Sequence, residues 1–286
     1  MIPISRVGVV GSGAMGAGIA EVSALAGMDV LVAVSREASL TTGRQRVLAS
    51  LDRAVTKGRL APEARDAAVA RLRFTMDLGE LADRQLVVEA VREEETLKLD
   101  LFATLDKVVE DPEAILASNT SSIPVMKLAG ATDRPAQVIG THFFNPVPAM
   151  ALVELVGSLH TSEQTMDRAE AWVAQSLGKR PIRSKDRAGF VVNALLVPYL
   201  LSAVRMVETG FATAEDIDQG MVLGCSHPMG PLRLTDMVGL DVVAAVADAL
   251  YAEFKEPLYA APPLLSRMVE GGLLGRKSGR GFYAYQ

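Results

Sequence analysis

A chain of 286 residues, 49% hydrophobic and 22% charged, is long enough to bury a substantial core and fits about two domains, which argues against a disordered protein. Its formal net charge of -5 and pI of about 5.4 argue against a sequence-independent nucleic-acid binder, whose affinity would rest on clustered Lys and Arg. The single cysteine, Cys225, cannot close an internal disulfide, so a reducing, cytoplasmic setting is expected and Cys225 reads as a small buried apolar residue. The longest apolar run, ALLVPYLLSAV at 194–204, falls short of the roughly 20 residues that span a bilayer. From Met1 the sequence leads straight to a strand with no basic, apolar leader, so no membrane partner is expected.

In chain order, Val7 to Val10 is a short β-branched run suited to a strand buried on both faces, and Met15 to Ala26 has helical spacing ended by Gly27. Val30 to Val34 supplies a second strand, completing a right-handed βαβ unit. Residues 37–73 carry Arg, Lys and Asp at helical spacing and predict a helical pair leaning off the sheet. Further strands are expected at 84–91, 114–118, 136–143 and 151–157, with an amphipathic helix, EEETLKLDLFATLDKVV, between the first two. Alternating strands and helices predict an α/β, doubly wound sheet over residues 1–184. Beyond RSKDRAGF (183–190) the strand signal disappears, and 185–286 reads as an all-helical domain.

The stretch GSGAMG fits G-x-G-x-x-G through Gly11, Gly13 and Gly16, with Ala14 and Met15 between them. The first glycine permits the tight turn, the second lets a pyrophosphate approach the backbone, and the third packs helix on strand. Because this loop follows a strand and opens a helix, its five residues are expected to contact a dinucleotide at the helix N-terminus. A second constellation joins SNTSSIPV (118–125) to GTHFFNPVPAMALVELV (140–156). His142 ends one expected strand and Glu154 lies inside the next. Oxidation of an alcohol needs a group that takes the hydroxyl proton while hydride leaves, and imidazole has the appropriate pKa; a carboxylate behind it would hold the tautomer. Ser121 could hold a substrate oxygen. Spacing alone also admits a structural histidine and a buried ion-pair glutamate. His160 and His227 read as structural or surface residues, and no metal site is expected.

The blocks ASNTSSIP, HFFNPVPAMALVELV, GFVVNALLVPYL, HPMGPLRLTDMVGLD and GRKSGRGFYAY resemble the successive motifs of the L-3-hydroxyacyl-CoA dehydrogenase family, in particular its short bacterial 3-hydroxybutyryl-CoA members, from Val7 to Tyr285. The resemblance implies an N-terminal Rossmann-like domain, a helical C-terminal domain that forms a homodimer, and an acyl-CoA substrate. It makes His142 the acid/base, Glu154 its partner, Ser121 and Asn193 the groups that position the substrate oxygen, and Asn145 a further substrate contact. It places Glu93, Lys98, Asn119 and Lys277 at the cofactor, and Ser50 and Lys57 at coenzyme A. For these charged and polar residues a solvated helix face or turn is the alternative.

One departure concerns the cofactor. Val34 stands where the family usually has the acid that binds the adenosine ribose, and Val accepts no hydrogen bond. Asp29 lies at the wrong end of the strand and Glu37 beyond the turn. The next residues, Ser35 and Arg36, can offer a hydroxyl and a guanidinium to a 2′-phosphate, so NADP(H) is favoured and NAD(H) is the alternative. Two rival functions stand beside this one: a dehydrogenase of another 3-hydroxy acid or a carrier-protein thioester, and a cofactor-binding protein without catalysis.

Overall fold

Val7, Val9 and Val10 lie within β1 (Arg6–Val10), buried beyond its first residue. The helix that follows, α1 (Ala14–Leu25), is buried continuously from Gly16 to Ala24. That explains its small, weakly amphipathic sequence, since a helix surrounded by protein needs no polar face. After it comes β2 (Asp29–Ala33), one residue shorter at its end than expected, so that Val34 is the first residue beyond the strand. The computed structural model describes residues 3–285, leaving Met1, Ile2 and Gln286 outside.

The helical reading of 37–73 holds for α2 (Glu37–Thr56) and α3 (Pro62–Ala70) and fails at its end, where Leu72–Thr75 forms β3. This strand lies at the sheet edge, and four residues are too few for a period-2 signal to stand out after two helices. The expected elements then follow as β4 (Leu86–Glu89), α4 (Glu95–Val108), β5 (Ile115–Ser118), β6 (Val138–Phe143) and β7 (Leu152–Gly157). Three more were not signalled: α5 (Val125–Gly130), α6 (Glu163–Ala171) and β8 (Arg180–Lys185). The last is the opposite edge of the sheet. Its sequence RPIRSK, with charges and a proline, suits an edge and hides the strand pattern.

The eight strands form one sheet in the order β3-β2-β1-β4-β5-β6-β7-β8. Pairing is parallel from β3 to β6. Strand β7 runs antiparallel to β6 because the link at 144–151 contains no crossover helix. Strand β1 lies between β2 and β4, so the chain winds away from it in both directions. The crevice beyond the carboxyl ends of β1 and β4 is therefore the expected ligand position.

The chain divides into two units, 1–186 and 187–286. The second contains α7 (Val192–Glu208), α8 (Ala214–Cys225), α9 (Pro231–Val238), α10 (Leu240–Phe254) and α11 (Pro263–Glu270). Its core includes Leu200, Leu201, Val204, Leu232, Leu250 and Leu265. The apolar run 194–204 is an amphipathic part of α7: Val197, Leu200, Leu201 and Val204 are buried while Leu195 is 74% exposed. Cys225 corrects the sequence reading, because it ends α8 and is exposed. A small apolar residue near a helix end carries little information about which side of the helix is covered. Among the described residues no helix is long and apolar enough to cross a membrane.

Candidate active site

The glycine loop runs from β1 into α1. Gly11 donates its N–H to the Ala33 carbonyl at 2.8 Å and has φ of 104°, a conformation suited to glycine. A Cβ on Gly16 would collide with the Gly11 carbonyl oxygen, whereas one on Gly13 would meet open space. Helix α1 begins with Gly13 as N-cap, with no side-chain capping bond and no acidic residue in its first turn. Ala14 is exposed and Met15 half-buried there. The first-turn N–H groups can therefore receive an anion. This cradle fits the pyrophosphate of a dinucleotide.

Around it lies a cleft of about 700 Å³ that includes Gly11, Gly13, Val34, Ser35, Arg36 and Arg92. It also receives one face of α2, through Ser39, Thr42 and Arg46, spaced three and four residues apart as neighbours on a helix surface should be. The face is bound to the loop. Ser12 Oγ donates to the Ser39 carbonyl at 3.2 Å, and the Arg46 guanidinium donates to the Ser12 carbonyl. Sequence reasoning assigned Ser50 and Lys57 of this helix to coenzyme A and did not single out these three residues, whose spacing was the available signal. Asp100 on α4 is the cleft's acidic residue.

The second constellation comes together on the antiparallel pair. His142 and Glu154 are direct cross-strand partners in the β6–β7 register, so their side chains leave the sheet on one face. His142 Nδ1 lies 2.7 Å from Glu154 Oε2, and Ser121 Oγ lies 3.1 Å from His142 Nε2. Glu154 is fully buried and His142 nearly so. An ionised carboxylate can only accept, so Nδ1 carries the proton towards Glu154, leaving Nε2 of a neutral ring as the acceptor for Ser121 Oγ–H. The arrangement presents a proton acceptor whose charged form has a carboxylate behind it. Asn119 Oδ1 accepts the Phe143 N–H at 2.9 Å, joining the end of β5 to that of β6.

Glu93 and Lys98 lie behind the turn that carries Ser121, whose N–H Glu93 Oε1 accepts at 2.9 Å. Lys98 is buried, with Nζ 2.6 Å from Glu93 Oε2 and 3.1 Å from Glu89 Oε2, and neither Glu93 nor Lys98 lines the cleft. Burial opposes ionisation of Glu93, but the Lys98 charge and the donors of the 120–121 turn outweigh it and hold its pKa down to about 2. For Glu89, burial prevails and pushes the pKa up against the pull of Lys98, Ser118 and the Val91 N–H. Glu89 was not anticipated from the sequence, where it lies inside the expected strand 84–91; the structure makes it the last residue of β4.

The remaining expected site residues are dispersed. Ser50 is half-buried on α2; Lys57 is the exposed C-cap of the same helix. Asn145 is exposed in the link after β6 and precedes a cis proline. Asn193 lies in the first turn of α7, in the second unit. In that unit too, Lys277 Nζ is 2.6 Å from an oxygen of Asp241. His160 is exposed, and His227 Nδ1 lies 3.2 Å from the Tyr199 hydroxyl.

Comparison with known proteins agrees with this architecture. Residues 6–187 match the family described as 3-hydroxyacyl-CoA dehydrogenase, NAD binding domain, and residues 189–285 its C-terminal domain. The chain is 61% identical to a 3-hydroxybutyryl-CoA dehydrogenase of Mycobacterium tuberculosis over 99% of both chains, and 47% identical to a probable 3-hydroxybutyryl-CoA dehydrogenase of Deinococcus radiodurans over 98% of this chain and all of that one. The fold superposes on the crystal structure of M. tuberculosis FadB2 with a TM-score of 0.99 at 60% identity, covering both chains in full. On the (S)-3-hydroxybutyryl-CoA dehydrogenase PaaH1 of Ralstonia eutropha the TM-score is 0.94 at 44% identity, covering 99% of each. A Rossmann unit and a helical unit, each matched by its own half of one family, show that this chain belongs to the 3-hydroxyacyl-CoA dehydrogenases.

Proposed function

We propose that this protein interconverts 3-hydroxybutyryl-CoA, as the (3S) isomer, and acetoacetyl-CoA, with NADP(H) preferred over NAD(H). The observation that carries the chemistry is His142, held through Nδ1 by a buried carboxylate and facing Ser121 through Nε2. Bound nicotinamide supplies the hydride acceptor in oxidation and the donor in reduction. His142 Nε2 takes the hydroxyl proton as the C–H bond breaks and the C=O bond forms; in reduction it returns that proton. Glu154 stabilises the imidazolium. Ser121 and Asn193 position the oxygen, with Asn145 as a further polar contact, while Ser50 and Lys57 hold coenzyme A. The glycine loop, Ser35 and Arg36 hold the nucleotide, with Asn119 and Lys277 assigned nearby by family resemblance.

The names of the bacterial relatives support the short acyl chain. For the cofactor, the support is the cleft itself: Val34 offers no ribose acceptor, and Arg36, Arg46 and Arg92 lie there with the hydroxyls of Ser35, Ser39 and Thr42. Three guanidiniums against one carboxylate suit a dinucleotide with an additional phosphate. We assign the nucleotide to the first unit and, to the helical second unit, substrate binding and a homodimer contact, in a cytoplasmic setting.

Acetoacetyl-CoA, longer 3-ketoacyl-CoAs, a carrier-protein thioester and free 3-keto acids, followed by cofactor absorbance with the wild type and His142→Ala, test the reading. Acetoacetyl-CoA is expected to be reduced with the highest kcat/KM, and His142→Ala to lower turnover by about 10² to 10⁴ while the fold persists. Wild-type turnover by the variant would remove His142 from the chemistry. Preference for a free acid or carrier thioester would replace the substrate.

A further inference from the structure

We infer that Lys179 is a positioning residue for the substrate: its ammonium clamps the 144–151 link that follows His142 and so places Asn145. The inference rests on the reading of His142 and Asn145 as groups that meet the substrate, and all of its residues lie in the first unit.

The link joins the strands of the catalytic pair, leaving β6 one residue after His142 and entering β7 two residues before Glu154. It has no helix or strand of its own, so its backbone groups need partners from outside regular structure. The Pro146 carbonyl accepts the N–H groups of Ala149 and Met150 at 3.0 and 3.1 Å, and the Arg180 N–H reaches the Ala151 carbonyl at 2.8 Å. Lys179 adds a charged grip. Its Nζ donates to the carbonyls of Val147 and Met150, each at 2.7 Å, so that two points of the link converge on one ammonium. Burial pushes the Lys179 pKa down, and the two carbonyl dipoles offset the hydration its charge has given up.

Both sides of this clamp are anchored. Gly178 takes a left-handed conformation, with φ of 63°, and turns the chain so that the Lys179 N–H donates to the Val173 carbonyl at 3.0 Å. The next residue, Arg180, opens β8 opposite Leu152 of β7. On the link, Val147 is buried and packs so closely on α1 that a Cβ added to Gly18 would lie 2.8 Å from the Val147 Cβ. Phe144 meets the His142 ring edge-on, with centroids 4.7 Å apart, and Asn145 is the next residue, exposed. Such a side chain is placed by its backbone, and a displacement of about 1 Å at a reacting group can cost about 10²-fold in rate.

The test compares Lys179→Met, Lys179→Arg, Asn145→Ala and Lys179→Met/Asn145→Ala. It measures kcat and KM for acetoacetyl-CoA, and the dissociation constants of NADH and NADPH by fluorescence titration. Lys179→Gln, whose shorter amide withdraws the donors from the link, is the folded readout if Lys179→Met loses its unfolding transition. Lys179→Met is expected to lower kcat/KM by about 10- to 100-fold, with cofactor dissociation constants within about threefold of wild type. Lys179→Arg keeps cationic donors and should recover most of that loss. Removing Asn145 should cost far less in the Lys179→Met background than in the wild type, because the amide is already misplaced. A lower melting temperature with wild-type kcat/KM would make Lys179 a purely structural residue, a loss as deep in Lys179→Arg would take the carbonyl bonds out of the effect, and losses that multiply would make Lys179 act independently of Asn145. Any of these overturns the inference. Wild-type kcat/KM in Asn145→Ala is the separate signature that the underlying reading of Asn145 is wrong, and the inference falls with it.

Discussion

Val34 and Arg36 concentrate the cofactor question in two side chains. Val34 closes the turn after β2 almost fully buried at the cleft, with Ser35 and Arg36 beside it. A charge-assisted hydrogen bond contributes about 1.5–3 kcal/mol, so kcat/KM is expected to favour NADPH by about 10- to 150-fold and Arg36→Ala to erase most of that. Val34→Asp should turn preference towards NADH by restoring a ribose acceptor and repelling the phosphate. Equal or better use of NADH by the wild type would refute the preference. A second residue, Glu21 on α1, bears on stability. Burial pushes its pKa up against the Ser50 hydrogen bond and the Arg53 charge. Since the folded value lies above the ordinary 4.5, the stabilisation belongs to the protonated form; it is complete below pH 4.5 and is lost as pH rises through the folded value. Glu21→Gln is therefore expected to have a higher thermal midpoint than wild type at neutral pH, with the two converging below pH 4.5. A gap that stayed constant across that range would show that ionisation of Glu21 carries no penalty.

At the scale of elements, α2 is a support for the glycine loop. Its closest approach is at Gly43, where a Cβ would collide with the side chain of Ser12. One turn to either side, Ser39 and Arg46 bind Ser12 through their carbonyl and guanidinium. Gly43→Ala should push the helix away and lower stability by about 1–3 kcal/mol, as overpacking does. Because the displaced loop carries the phosphate cradle, NADH and NADPH should both bind about tenfold more weakly, in contrast to the selective effect of Arg36→Ala. Unchanged titration curves for both nucleotides would show that the cradle stands without α2. The strand pair β6–β7 illustrates the same dependence at the second constellation. The residue types of His142 and Glu154 are visible in sequence, but a shift of one residue in register would send one of them to the opposite face.

For the whole molecule, the second unit displays Leu195, Phe211, Leu223 and Met237 at 51% exposure or more. Apolar side chains so placed on a helical unit are consistent with the proposed homodimer. Light scattering at micromolar concentration is expected to give twice the 30.4 kDa of the chain; a monomeric mass would count against that assembly.

The sequence by itself determined the α/β class, most strand positions and the strand–glycine turn–helix at the start, because each is written in spacings of a few residues. Edge strand β3 escaped it because the alternation of four residues, LRFT, is too short to stand out after two helices, and β8 because RPIRSK carries charges and a proline in place of apolar alternation. Only the tertiary structure decided that His142 stands opposite Glu154, that α2 turns Arg46 onto Ser12, that Lys98 is buried between two carboxylates and that Cys225 is exposed. Those outcomes depend on strand register and on the rotation of each helix about its axis. Both are set by packing summed over the core, and no local stretch of chain contains that sum.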